Sequence, residues 1–237
     1  MSAAREGPKA FDEIAGDYEA QLMRGLSLSG ESLEYFAAGR TEFLRAWWRR
    51  EGCPEPGRIL DYGCGIGLGT SHLARRFPRS EVLGLDPSER SIERAAREQA
   101  DHRIHFDLLE PVSSKSETAD LIHLNGVVHH VPPEARPRLF DDIAARLSPG
   151  GVVAVFENNP LNPGTRWVMS RIPFDRDAMP VLAPEARRCL KAAGLIPLVT
   201  RYLFYFPRSL RLLRPLEALL DRVPLAAQYC VLARSAA

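Results

Sequence analysis

The chain has 237 residues, 45% of them apolar and 26% charged, with a formal net charge of +1. That length buries a substantial core as one domain, and the balance is ordinary for a soluble globular protein. A near-neutral chain carries no whole-molecule field toward nucleic acid or acidic partners, and four scattered cysteines without CxxC spacing argue against a structural zinc and for a reduced, cytoplasmic protein. The N-terminal residues lack the apolar core of a signal peptide, and no stretch reaches the roughly 20 apolar residues that span a bilayer.

Residues 1–57 read as a helical N-terminal part. Phe11, Ile14, Ala15, Tyr18 and Leu22 recur at helical spacing, GLSLSG (25–30) interrupts, and a second helix carries Leu33, Phe36, Ala37, Arg40, Leu44 and Trp47. CPEPG (53–57) ends it. Residues 58–157 alternate strand and helix. The strands are RILDYG (58–63), EVLGLD (81–86), RIHFDL (103–108), ADLIHLNGVV (119–128) and VVAVFE (152–157). The helices run over 70–77, from Pro87 to about Gln99 with Ser88 as N-cap, and over 137–147. This order predicts βαβ crossovers and a parallel sheet covered on both faces. Residues 158–237 begin with a proline-rich loop through Pro184 that has room for one helical turn, followed by a helix over 183–194 and a strand over 195–206. A basic, leucine-rich helical stretch over 208–222, started afresh at Pro215, and a closing strand over 226–234 complete the chain.

Leu60-Asp61-Tyr62-Gly63-Cys64-Gly65-Ile66-Gly67 joins the first strand to the next helix. Glycines there permit a tight turn and close approach of a ligand to bare backbone, beside the free N–H groups of a helix start. The spacing departs from a dinucleotide loop, whose third glycine would fall at Leu68. A carboxylate at Asp61 suits a ligand with a positive amino group and sulfonium better than a pyrophosphate. Asp86 ends the second strand, nineteen residues past Gly67, near the spacing of a carboxylate that grips ribose hydroxyls.

From Arg58 to about Phe156 the chain resembles the class I S-adenosylmethionine-dependent methyltransferases, particularly their broad small-molecule group. LDYGCGIG is similar to their first motif, and LGLDPS to their acidic end of the second strand. HFDL, ADLIHLNGVVHHVP and LSPGG are similar to the segments that follow. The resemblance implies a Rossmann-like α/β fold, with a mostly parallel seven-stranded sheet, helices on both faces and an N-terminal helical lid. It implies S-adenosylmethionine as cofactor, S-adenosylhomocysteine as product and no metal. By the same resemblance, the backbone carbonyls of Gly63 and Asn125 would hold the methionine amino group, while Gly65 and Gly67 let the chain pass close. Asp86 would take the ribose hydroxyls and Asp107 the adenine amino group, and Asp61 would act through its field or a water. FDEIAGDY (11–18) resembles the lid helix, with Tyr18 beside the cofactor.

Methyl transfer releases a neutral thioether, so alignment and exclusion of water supply most of what is needed, and a base serves only an acceptor that starts protonated. His129, just past the fourth strand, and Glu157, ending the fifth, are the candidates at the carboxyl edge. His130 and His123 read as residues satisfied locally, and His72 as exposed scaffold. Trp167, Met169, Phe174, Tyr202, Phe204, Tyr205 and Phe206 offer an apolar lining, about half of it plain core; Tyr202–Phe206 needs a bend before Pro207. The 208–222 leucines are expected to cover the sheet or roof the pocket, with an anionic membrane surface as the lesser reading. The leading expectation is a methyltransferase of a small or medium, partly apolar metabolite. The alternatives are a lipid-linked acceptor, a nicotinamide-dependent oxidoreductase and an inactive scaffold of the same fold. Nucleic acid is not expected as a partner: there is no basic groove with interleaved aromatics and no NPPY-like motif after the fourth strand.

Overall fold

A computed structural model describes residues 30–112, 118–171 and 178–236. The expectations for Tyr18, the 11–18 helix and Phe174 lie outside these. Helix α1 (Leu33–Arg50) opens the described chain, its start capped by Ser32, whose hydroxyl accepts from the Tyr35 amide. It buries Ala37, Arg40, Thr41, Leu44 and Trp48, a stripe at helical spacing in which Trp48 rather than Trp47 takes the core position.

Strand and helix then alternate: β1 (Arg58–Tyr62), α2 (Leu68–Arg76), β2 (Glu81–Asp86), α3 (Glu89–Glu98), β3 (Ile104–Leu108), β4 (Ala119–Asn125), α4 (Arg136–Ala145) and β5 (Leu147–Asn158). The last part holds α5 (Pro163–Met169), α6 (Ala183–Ala192), β6 (Ile196–Leu203), α7 (Glu217–Leu220) and β7 (Gln228–Arg234). One seven-stranded sheet results, in the order β3-β2-β1-β4-β5-β7-β6. All pairs are parallel except those of β7, which runs antiparallel to both β5 and β6.

Strand alternation sends each side of the sheet into its own core. Ile59, Val82, Leu121, Ala154, Phe156 and Leu232 pack with Leu44, Trp48, Leu73 and Phe77 of the α1–α2 side. Leu60, Ile122, Leu124, Val153, Val155 and Val231 pack with Phe140, Ile143, Ala186 and Leu190 of α4 and α6. Fully burying aliphatic side chains of this kind contributes about 1.5–3 kcal/mol each. The chain leaves β1 toward β2 and β3, then crosses back to start β4 on the other flank. The carboxyl ends of β1 and β4 therefore part, and the crevice between them is where an open α/β sheet binds ligands.

Three expectations are corrected. The SPGG segment is drawn into β5, where pairing jumps from Ala119↔Leu147 to Leu121↔Val152 and the intervening residues bulge outward. The loop after β5 contains a formed helix, α5, capped by Asn162. The stretch expected as an amphipathic helix is a 3-10 turn over Arg208–Leu216, broken at Leu210 and containing Pro215, before the single turn of α7. None of its residues is buried, so its leucines do not enter the core. Proline removes an N–H and crowds the carbonyl four residues back, which prevents one continuous α-helix.

Candidate active site

The β1–α2 loop is shaped by three left-handed glycines, Gly63 (φ +74), Gly65 (φ +53) and Gly67 (φ +79). A side chain is disfavoured there by backbone conformation alone. Their surroundings differ. A Cβ on Gly63 would meet Val127 at 2.6 Å, and one on Gly67 would meet Phe106 at 2.6 Å. A Cβ on Gly65 would meet nothing within 4 Å. Two of the glycines let the loop lie against protein, and the third faces open space.

Asp86 ties this loop to the end of β2. Its Oδ2 accepts from the Gly65 amide at 2.9 Å and its Oδ1 from the Ser88 amide at 3.0 Å. Both carboxylate oxygens thus hold backbone amides where β2 gives way to α3. Phe106, from β3, lies against both Gly67 and Gly84, where an added Cβ would approach within 2.6 Å. It is the floor on which the loop rests.

Asp61 is buried beneath the loop. Its Oδ1 lies 2.7 Å from His123 Nδ1, and its Oδ2 accepts from the Thr70 hydroxyl at 2.7 Å. It locks β1, β4 and the start of α2 together. His123 is buried, as expected, and among the described residues its Nε2 has no hydrogen-bond partner. Cys64 lies beside these groups; burial, reinforced by the Asp61 and Asp86 carboxylates, pushes its thiol far above the usual range.

Across the crevice, Gly63 and Asn125 each stand one residue beyond the paired Tyr62 and Leu124. Gly126 (φ +68) turns the chain into a 3-10 turn over Val128–His130. Glu157 closes on that turn from β5: its Oε1 accepts from the Val128 amide at 2.7 Å, and its Oε2 lies 2.5 Å from His129 Nδ1. Both side chains are buried. A proton on Nδ1, donated to the Glu157 carboxylate, would leave Nε2 as the basic nitrogen of the ring. Glu157 thus holds the turn and the histidine at once.

Asp107 is exposed at the end of β3, in register with Leu85 rather than Asp86, and its carboxylate accepts from the Leu108 amide. His72, expected on the surface, is buried: α1 packs over α2, and Glu34 Oε1 lies 2.8 Å from the imidazole Nε2. Of the aromatic lining, Phe204 turns the chain in the left-handed region (φ +68) and packs on Tyr35 and Phe36 of α1, which supplies the bend expected before Pro207.

The sequence reading missed a polar chain at the same edge. Arg40 Nη1 donates to Gln228 Oε1 at 3.1 Å, and Gln228 Nε2 to Asn158 Oδ1 at 3.2 Å. It links α1, β7 and β5 across 188 residues of sequence, and the only local signal was an arginine inside the apolar stripe of α1. Among the described residues, no group of three or more His, Cys, Asp or Glu could hold a metal ion.

Residues 31–200 match a family described as methyltransferase domain. A trans-aconitate 2-methyltransferase of Variovorax paradoxus is 36% identical over 104 residues, 43% of this chain and 39% of that protein. Another from Pseudomonas aeruginosa is 32% identical over 176 residues, 71% of this chain and 58% of that protein. The chain thus spans about two-fifths to three-fifths of these relatives. The fold is shared with a magnesium protoporphyrin IX methyltransferase from Synechocystis, solved with bound SAH, at a TM-score of 0.66 and 14% identity over 97% of this chain and 98% of that one. It is shared also with a SAM-dependent methyltransferase from Corynebacterium glutamicum, at a TM-score of 0.61 and 16% identity over 95% and 99%.

Proposed function

The chain belongs to the methyltransferase-domain family, within the class I S-adenosylmethionine-dependent methyltransferases, and from that premise we propose that it transfers a methyl group to a small or medium, partly apolar acceptor. The observation that carries the reading is the open cradle at Gly65, whose amide is held by the same carboxylate, Asp86, that would grip a ribose. A cradle that any Cβ would narrow, beside a carboxylate at the end of β2, fits an adenosyl cofactor. When bound, S-adenosylmethionine supplies an electrophilic methyl on a sulfonium.

The residues then divide the work. Asp86 binds the ribose hydroxyls, and Asp107, one strand over, the adenine amino group. Gly63 and Asn125 offer backbone carbonyls to the methionine amino group, and the buried Asp61 adds negative potential beneath it. Tyr18 would complete the cofactor's surroundings from the N-terminal segment. His129 Nε2 accepts the proton of an acceptor that starts protonated, and Glu157 positions the ring and stabilises its protonated form.

Family membership leaves no role for the nicotinamide alternative. The relatives' printed acceptor, trans-aconitate, belongs in a test panel alongside more apolar acids, phenols and amines. Labelled cofactor incubated with that panel is expected to mark at least one acceptor. His129→Gln should lower kcat about 10²–10⁴-fold with KM little changed. Glu157→Gln should lower kcat and shift the pH–rate profile. Failure of the whole panel, or full activity in His129→Gln, would overturn the assignments.

A further inference from the structure

The segment from Arg208 to Leu225 gathers most of the exposed leucines among the described residues. Leu212 is 87% exposed, Leu219 80% and Leu225 60%, with Leu210 and Leu216 also open to solvent. Isolated exposed leucines are ordinary; with Leu213 there are six within sixteen residues, a patch that calls for a partner. The segment is nonetheless held in place. Glu217 Oε1 accepts from the amides of Tyr205 and Phe206. The Tyr205 hydroxyl donates to the Leu220 and Val223 carbonyls. Arg214 lies over the Tyr35 ring and pairs with Glu31. A fixed platform of leucines therefore follows the carboxyl end of β6, on the edge of the sheet that carries the crevice.

Its charge is one-sided. Among the described residues, Arg208, Arg211 and Arg222 have no carboxylate partner, while the segment's acids are engaged: Glu217 with backbone amides and Asp221 with Arg201 at 2.8 Å. Arg222 also lines a cleft of about 410 Å³ with Arg187, Thr200, Arg201 and Tyr202. Leucines interleaved with unpaired arginines complement a surface that is apolar inside and anionic at its face.

We propose that this platform docks the protein on an anionic phospholipid surface, leucines entering the headgroup boundary, arginines meeting phosphates, and the arginine cleft taking an anionic headgroup at the rim. No helix among the described residues is long and apolar enough to cross a membrane, so the contact is peripheral. Resting on the proposed methyl transfer, the further consequence is an acceptor drawn from the bilayer; the docking stands apart from it and is tested without turnover.

The full chain is sedimented with vesicles of phosphatidylcholine alone, or with phosphatidylglycerol added at roughly one part in three. Binding only to the anionic vesicles, weakened by salt, is expected. Leu212→Glu with Leu219→Glu should lower partitioning at least about tenfold, with the unfolding temperature unchanged. Arg208→Gln with Arg211→Gln should remove the preference for anionic lipid. The proposal is overturned if the wild-type chain ignores anionic vesicles at low salt, or if the leucine variant sediments like wild type. It is equally overturned by a concentration-dependent dimer that the leucine variant splits without any vesicle binding, which would make a second copy the partner.

Discussion

Cys64 lies between two glycines that make the loop, yet it is a poor nucleophile. Burial and the neighbouring Asp61 and Asp86 carboxylates all oppose a thiolate, so the thiol stays protonated across the working pH range. At pH 8, iodoacetamide should alkylate Cys64 far more slowly than it does free glutathione, as mass spectrometry of the digested protein would show. Reaction at the glutathione rate would mean that the carboxylates are not where the structure has them. Much at this scale was legible in the sequence, because a left-handed turn demands glycine and the end of β2 demands a strand before a helix. Gly63, Gly65, Gly67 and Asp86 follow from such local rules. Their supports do not. The Asp61–His123 contact joins residues 62 apart, the Glu157–His129 contact residues 28 apart, and Phe106 supports the loop from two strands away. Such pairs depend on strand order, which no local pattern states.

Elements met the same limit. Strands β1 to β3 could be bounded closely because each is a compact apolar run between turn residues, whereas β5 begins at Leu147, ahead of its apolar run. Helix α1 was recognised by its period, but its partner was not, and His72 was therefore placed on the surface. In the fold α1 covers α2, and burial holds the His72 imidazole below its usual value of 6.5. The folded state thus favours neutral histidine; its contribution is present above about pH 6.5 and lost as pH falls through the lowered value. Denaturant titrations at about pH 7.5 and 5.5 should show wild type losing more stability on acidification than His72→Gln. Equal losses would place the acid sensitivity elsewhere. The 208–222 stretch misled for a different reason. Its leucines have helical spacing and the break at Pro215 was legible, but Glu217 is committed to the amides of Tyr205 and Phe206 and none of the leucines is buried. Periodicity reports where apolar residues lie, not what covers them.

At the scale of the molecule, one sheet edge collects the chemistry. The glycine loop leaves β1 there, Asp86 ends β2, Asn125 ends β4, Glu157 lies near the end of β5, and the leucine platform follows β6. Parallel strands force this gathering, since every carboxyl end of β1–β5 points the same way. The α/β class was legible from alternation alone. The insertion of β7 between β5 and β6 was not, because an antiparallel closing strand reads locally like any other.

The central claim is that the Gly65 cradle and Asp86 together bind the adenosyl group. Titration calorimetry with S-adenosylhomocysteine tests it directly on wild type, Gly65→Val and Asp86→Asn. Asparagine is preferred to alanine because it keeps an acceptor for the amides of Gly65 and Ser88. The account predicts saturable binding to wild type and at least about tenfold weaker binding to each variant, with folding checked by circular dichroism. Undiminished affinity in both variants would contradict it.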